Sequence, residues 1–122
     1  MGNVEKLKDL LTDILDIETK KITLDTYLIR DLGAESIDLL EISVGIIDKF
    51  KIDVNDNELF LKNLRFYIIE AQENAVETDI YINEKLPFLS IERIKEMLNE
   101  VDNGPVLKIC DIISYISYQE KK

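Results

Sequence analysis

The chain has no histidine and no tryptophan, and its 122 residues include one cysteine, two prolines and four glycines. Zinc sites and serine or cysteine triads commonly depend on an imidazole, so its absence excludes much hydrolytic and metal chemistry. A single cysteine, Cys110, cannot form an internal disulfide, and no basic segment followed by an apolar one opens the sequence. A cytoplasmic protein is expected from these two absences. Long apolar runs are also lacking: a stretch such as Phe66 to Ile69 is far too short to span a bilayer, so no membrane span is expected. Positive charge is scarce, with 15 Lys and Arg against 25 Asp and Glu, a net charge of −10 and a pI near 4.5. Nucleic acid is therefore not an expected partner, because phosphate backbones reward clustered cations through counterion release. Such an acidic surface suits basic protein partners and equally serves solubility.

What is present is helical patterning. At 46% hydrophobic, the chain fits one globular domain with one core. Val4, Leu7, Leu11 and Ile14 recur at spacings of three and four with Leu10 and Leu15 beside them, which predicts an amphipathic first helix. The segment "IETKKITLDTYLIRDLGAE" loses that period and reads as a long ordered loop pinned by Ile22, Leu24, Leu28 and Leu32. From Ile37 onward two adjoining stripes, Ile37, Leu40, Val44, Ile47 and Leu39, Ile42, Ile46, Phe50, predict a helix that buries a wide face. Asp38, Glu41, Gly45 and Asp48 fall on the narrow remainder, where Gly45 reads as a tolerated cost of about 1 kcal/mol. Beyond it, Leu64, Tyr67, Ile68, Ala71 and Ala75 fit a helix, although "LRFYII" is also β-prone, and "DIYIN" has no decisive period. Ser90 suits the cap of a helix carrying Ile91, Ile94, Leu98 and Val101. After the turn residues "DNGP", Leu107, Ile109, Ile112, Ile113 and Ile116 predict a terminal helix of about three turns. Cys110 reads there as a small core residue.

Three stretches invite a chemical reading. "DVNDNELF" begins like a calcium loop with Asp53, Asn55 and Asn57, but its sixth position is Glu58 instead of glycine and its twelfth is Leu64 instead of glutamate. Asp31, Glu35, Asp38 and Glu41 resemble acid/base pairs only until one asks what would desolvate them; an acidic, solvated helix end is the simpler reading. Ser36, in "DLGAESIDLLEI", sits just after a glycine turn and just before the amphipathic run. Its plain role is a helix N-cap. It has no histidine base to make it a nucleophile, so the chemical alternative is that another enzyme modifies it. A helix N-terminus is a favourable place for an attached phosphate.

The motif resembles the acyl carrier proteins. "ITLDTYLIRDLGAESIDLLEISVGIIDKFKIDV" is similar to the central part of that family, in which a long loop leads through Asp-Leu-Gly-x-Asp-Ser-Leu into an acidic second helix. Asp31, Leu32, Gly33, Ser36, Asp38, Glu41 and Phe50 match it in residue type. Glu35 and Ile37 depart from it, standing where the family has Asp and Leu. The resemblance implies an all-α fold, an acyl-carrier-protein-like four-helix bundle with an additional mostly helical insertion. It also implies a single carrier domain over residues 1–122, with the insertion at about 60–105 where the family has one short helix. Ser36 is the expected attachment point of 4′-phosphopantetheine, transferred from coenzyme A by a phosphopantetheinyl transferase. The thiol of that arm carries acyl groups for fatty-acid, polyketide or related lipid synthesis. Asp31, Glu35, Ile37, Asp38, Glu41 and Asp48 are the expected partner-binding residues, facing the transferase and acyl-handling enzymes such as ketosynthases or acyltransferases. Together with the apolar stripes, the resemblance places Leu40, Val44, Ile46, Ile47 and Ile109 along an acyl cleft. A monomeric, non-catalytic carrier is the reading this favours. A peptidyl or aminoacyl carrier, or an unmodified helical interaction module that uses Ser36 only as a cap, are the alternatives.

Overall fold

The computed structural model describes residues 2–122, and its described elements are helical, joined by turns and one isolated bridge. The all-α architecture expected from the sequence is the one observed. Seven α-helices follow one another among the described residues: α1 Asn3–Leu15, α2 Ser36–Phe50, α3 Asp56–Leu59, α4 Leu64–Glu73, α5 Thr78–Lys85, α6 Ile91–Glu100 and α7 Ile109–Glu120. They divide into two compact units, one made of the described residues up to Val54 with Leu107–Lys122, the other of Asn55–Val106.

In the first unit α1 packs along α2 and also touches α7. The periodicity of α1 buries Leu7 and Leu11 completely, and the helix ends where Asp16 turns into the left-handed region at φ 54°. Residues 17–35 are a long loop with one 3₁₀ turn at Thr19–Lys21. Burial of Ile22 and Leu28 pins it, as expected, whereas Leu24 is exposed. The loop is also tied to the start of α7 by an antiparallel bridge between Tyr27 and Lys108. There Leu28 N–H donates to the Leu107 carbonyl at 3.1 Å and Ile109 N–H to the Thr26 carbonyl at 3.0 Å. The first turn of α7 is closed by Asp111, whose Oδ2 accepts from Lys108 N–H at 2.8 Å, and Ile109, Ile112, Tyr115 and Ile116 carry its burial. Cys110 is half-buried rather than fully enclosed.

The second unit is built from short helices. Asn55 Oδ1 accepts from the N–H groups of Asn57 and Glu58, so the would-be calcium loop is an N-cap for α3. Among the described residues no cluster of metal-ligating side chains occurs. The ambiguous "LRFYII" is helical in α4, which packs on α5, but α4 stops at Glu73 and Ala75 lies in the turn at φ 54°, outside the helix its spacing suggested. Ser90 caps α6 as expected, its Oγ accepting from Arg93 N–H at 3.1 Å. Ile82, Ile94 and Met97 are fully buried.

Candidate functional site

Residues 27–34 fold into a tight turn ahead of α2. Asp31 Oδ2 accepts from Tyr27 N–H at 2.9 Å, while Asp31 and Leu32 N–H groups return to the Tyr27 carbonyl at 3.1 and 3.3 Å. Gly33 then takes φ 69°, and a β-carbon there would meet nothing within 4 Å. Glycine is required by the backbone angle, not by crowding. The Tyr27 ring is stacked by two cations, the Arg30 guanidinium at 4.5 Å and the Lys108 ammonium at 5.1 Å from its centroid. Such contacts hold the turn against the base of α7.

The start of α2 corrects one expectation. Glu35, not Ser36, is the N-cap: its carboxylate accepts from Asp38 N–H, and Asp38 Oδ2 accepts from Glu35 N–H at 2.8 Å. This reciprocal arrangement is a capping box formed by two acids, both also favourable at the positive end of the helix dipole. Ser36 is thereby released from the capping role and occupies the first helical position with an exposed side chain. Leu39 N–H is the first to be bonded within the helix, to the Glu35 carbonyl at 3.0 Å. That leaves the Ser36 and Ile37 N–H groups, beside the Ser36 hydroxyl, unbonded among the described residues.

The apolar stripes of α2 meet different fates. Ile42, Ile46 and Phe50 are buried, but Ile37, Leu40, Val44 and Ile47 are 61, 57, 66 and 44% exposed, so the helix buries one stripe rather than a wide double face. The five residues expected to line a cleft are thus divided. Ile46 and Ile109 are at 0% exposure in the interior, whereas Leu40, Val44 and Ile47 stand on the surface. Gly45 also moves from the solvent face to a helix contact. A β-carbon built there falls into Leu10 of α1, 3.0 Å from Cδ2 and 3.2 Å from Cγ.

The exposed side of α2 brings Ser36, Ile37, Leu40, Glu41, Val44, Ile47 and Asp48 onto one continuous face, apolar along its middle and acidic at its margin. Asp48 reaches Lys51 at 3.7 Å with both side chains almost fully in solvent, a pair of little energetic weight. Asp31 and Glu35 are exposed and Asp38 half-buried, yet hydrogen bonds to backbone N–H groups commit all three carboxylates. Periodicity alone could not separate the two apolar stripes; the signal that distinguishes them is Gly45, which marks the side facing α1.

Residues 5–65, half of the chain, match the family model described as a phosphopantetheine attachment site. A curated relative, the acyl carrier protein of Akkermansia muciniphila, is 39% identical over 54 residues, covering 44% of this chain and 68% of the relative. The chain belongs to the acyl carrier protein family. It is therefore a non-catalytic carrier whose cofactor is covalently attached 4′-phosphopantetheine, and it meets a phosphopantetheinyl transferase and acyl-handling enzymes. No solved structure gives a significant match to this acyl carrier family member. Among its described residues no helix is long and apolar enough to cross a membrane.

Proposed function

We propose that Ser36 bears the phosphopantetheine arm and that the chain is a specialised, monomeric carrier of acyl thioesters for fatty-acid, polyketide or related lipid synthesis in the cytoplasm. The observation that carries this reading is the placement of Ser36: an exposed hydroxyl freed from capping, at a helix N-terminus with two unbonded N–H groups beside it. A phosphodiester suits that position, because those N–H groups and the helix dipole favour negative charge. The arm, when attached, supplies a thiol that holds acyl groups as thioesters. The residues of the chain itself present, orient and address it.

Their roles divide along the lines of their contacts. Asp31, Glu35 and Asp38 hold the serine-bearing turn through backbone hydrogen bonds. Ile37, Leu40, Val44 and Ile47 with Glu41 and Asp48 form the docking face, on which charge steers the encounter and the apolar stripe sets its register. The buried Ile46 and Ile109 are the members of the cleft set that an acyl chain entering the helical interior would meet. In this reading residues 1–122 form one carrier domain with an insertion at about 60–105, which falls within the compact unit Asn55–Val106. Acyl cargo is favoured over aminoacyl cargo by the acidic docking helix.

Intact mass after incubation with coenzyme A and a permissive transferase tests the proposal. A gain of one phosphopantetheine unit, lost in Ser36→Ala, is expected; a folded chain that gains nothing, in which Glu35→Asp also restores nothing, is an interaction module instead. Loading of the modified chain by acyl-activating but not amino-acid-activating enzymes then fixes the cargo class.

A further inference from the structure

In the second unit every large apolar side chain that is strongly exposed among the described residues, Phe66, Ile69, Val76 and Ile80, falls on α4, α5 or the turn between them. By contrast, the outward positions of α6 are Glu92, Lys95, Glu96 and Asn99. Solvent alone accounts for α6. It does not account for the four apolar side chains exposed on the hairpin, and an apolar patch with a polar rim marks an interaction surface.

The α4–α5 turn and α5 form a depression of about 300 Å³ whose floor is Val76, Ile80 and Tyr81 and whose margin is Glu77 and Glu84. That volume is ample for one large apolar side chain, and two carboxylates flank it. Charge on the unit as a whole runs the same way, with acidic residues outnumbering basic ones eleven to five over residues 55–106. Most of those cations are already engaged: Arg65 with the Val101 carbonyl, Arg93 with the Val106 carbonyl and Glu96, Lys95 near Asp79. Near the depression the cation is Lys85, whose ammonium lies 5.4 Å from the centroid of the Tyr81 ring. This intramolecular contact sets a positive charge over the negative face of the Tyr81 ring. Tyr81 is held in place by donating its hydroxyl proton to Glu70 at 2.9 Å.

We infer that the α4–α5 hairpin is a second docking surface, occupied by a basic amphipathic segment of a partner protein that inserts one apolar side chain between Glu77 and Glu84. Its apolar floor contributes desolvation and its two carboxylates select lysine or arginine on either side of the anchor. The surface belongs to the unit Asn55–Val106 and works without modification of Ser36.

The test is an NMR titration of the full, isotope-labelled chain with an amphipathic leucine–lysine peptide, using the same peptide with glutamate in place of lysine as control. Saturable shifts at Val76, Ile80, Tyr81 and Glu84 are expected with the basic peptide and none with the acidic one. Ile80→Glu weakens binding at these signals by about tenfold or more without moving the response of α2. Glu77→Gln combined with Glu84→Gln does so with the floor intact, which separates charge selection from folding. Ser36→Ala leaves the titration unchanged, so failure of the mass experiment and failure here are distinguishable. Shifts confined to α2, or an equal response to the acidic peptide, overturn the inference. Shifts at Ile80 that track chain concentration alone overturn it in favour of a second copy as the occupant.

Discussion

Gly45 on α2 faces the side chain of Leu10 on α1 with no space for a β-carbon between them. A residue that costs helix propensity thus sets how closely the two helices of the first unit approach.

Gly45→Ala is expected to lower stability despite its better propensity. The propensity gain is about 1 kcal/mol, and overpacking against Leu10 costs about 1–3 kcal/mol, so the net loss is at most about 2 kcal/mol. Urea unfolding measures it, and Leu10→Ala in the same chain removes the clash, leaving a coupling of about 1 kcal/mol in the double-mutant cycle. A raised midpoint in Gly45→Ala alone contradicts the close approach.

Ser36 and Glu35 separate attachment from capping. Ser36→Ala changes folding stability by no more than about 0.5 kcal/mol because the cap is elsewhere, while it abolishes the mass gain. Glu35→Ala costs about 1 kcal/mol through loss of the cap. Thermal unfolding of the two variants side by side gives the comparison, and equal destabilisation by both contradicts the assignment of the cap.

The two stripes of α2 predict opposite phenotypes. Ile46→Ala removes a side chain at 0% exposure and costs about 2–5 kcal/mol. Val44→Gln, at 66% exposure, leaves stability within about 0.5 kcal/mol but lowers kcat/KM for modification by the transferase by about tenfold. Unchanged transferase kinetics in Val44→Gln removes this stripe from the docking face.

Tyr81 gives the second unit an alkaline signature. Its hydroxyl donates to the Glu70 carboxylate, and that hydrogen bond, aided by desolvation and the negative charge of Glu70, raises the phenol above its ordinary value of about 10. The folded chain therefore holds this proton more tightly than the unfolded chain. The resulting stabilisation is full below a pH of about 10 and is lost as pH rises through the folded value. Glu70→Gln removes the charge and brings Tyr81 back down, which ring-carbon NMR titration reads directly. An identical titration in both chains sinks the account.

Much of this was legible before any fold was known. Local patterns carried α1, α6 and α7, because their apolar spacing, the Ser90 cap and the turn at Asn103 and Gly104 act within a few residues of themselves. The helical character of α5 was not legible: Ile82 is its one fully buried residue, so its stability rests on packing rather than periodicity. Ser36 was legible as a special position from "DLGAES", yet its freedom from capping was not, since Ser and Glu compete for that role and only backbone geometry decides between them.

The sequence by itself determined the helical class, the excluded chemistries and the family motif, since composition and short-range spacing are properties of the chain alone. The tertiary structure decided which stripe of α2 is buried, why Gly45 is there and where the acidic side chains are spent. Those outcomes depend on which neighbour arrives at each face, and the spacing of two adjoining apolar stripes does not say which of them α1 will cover.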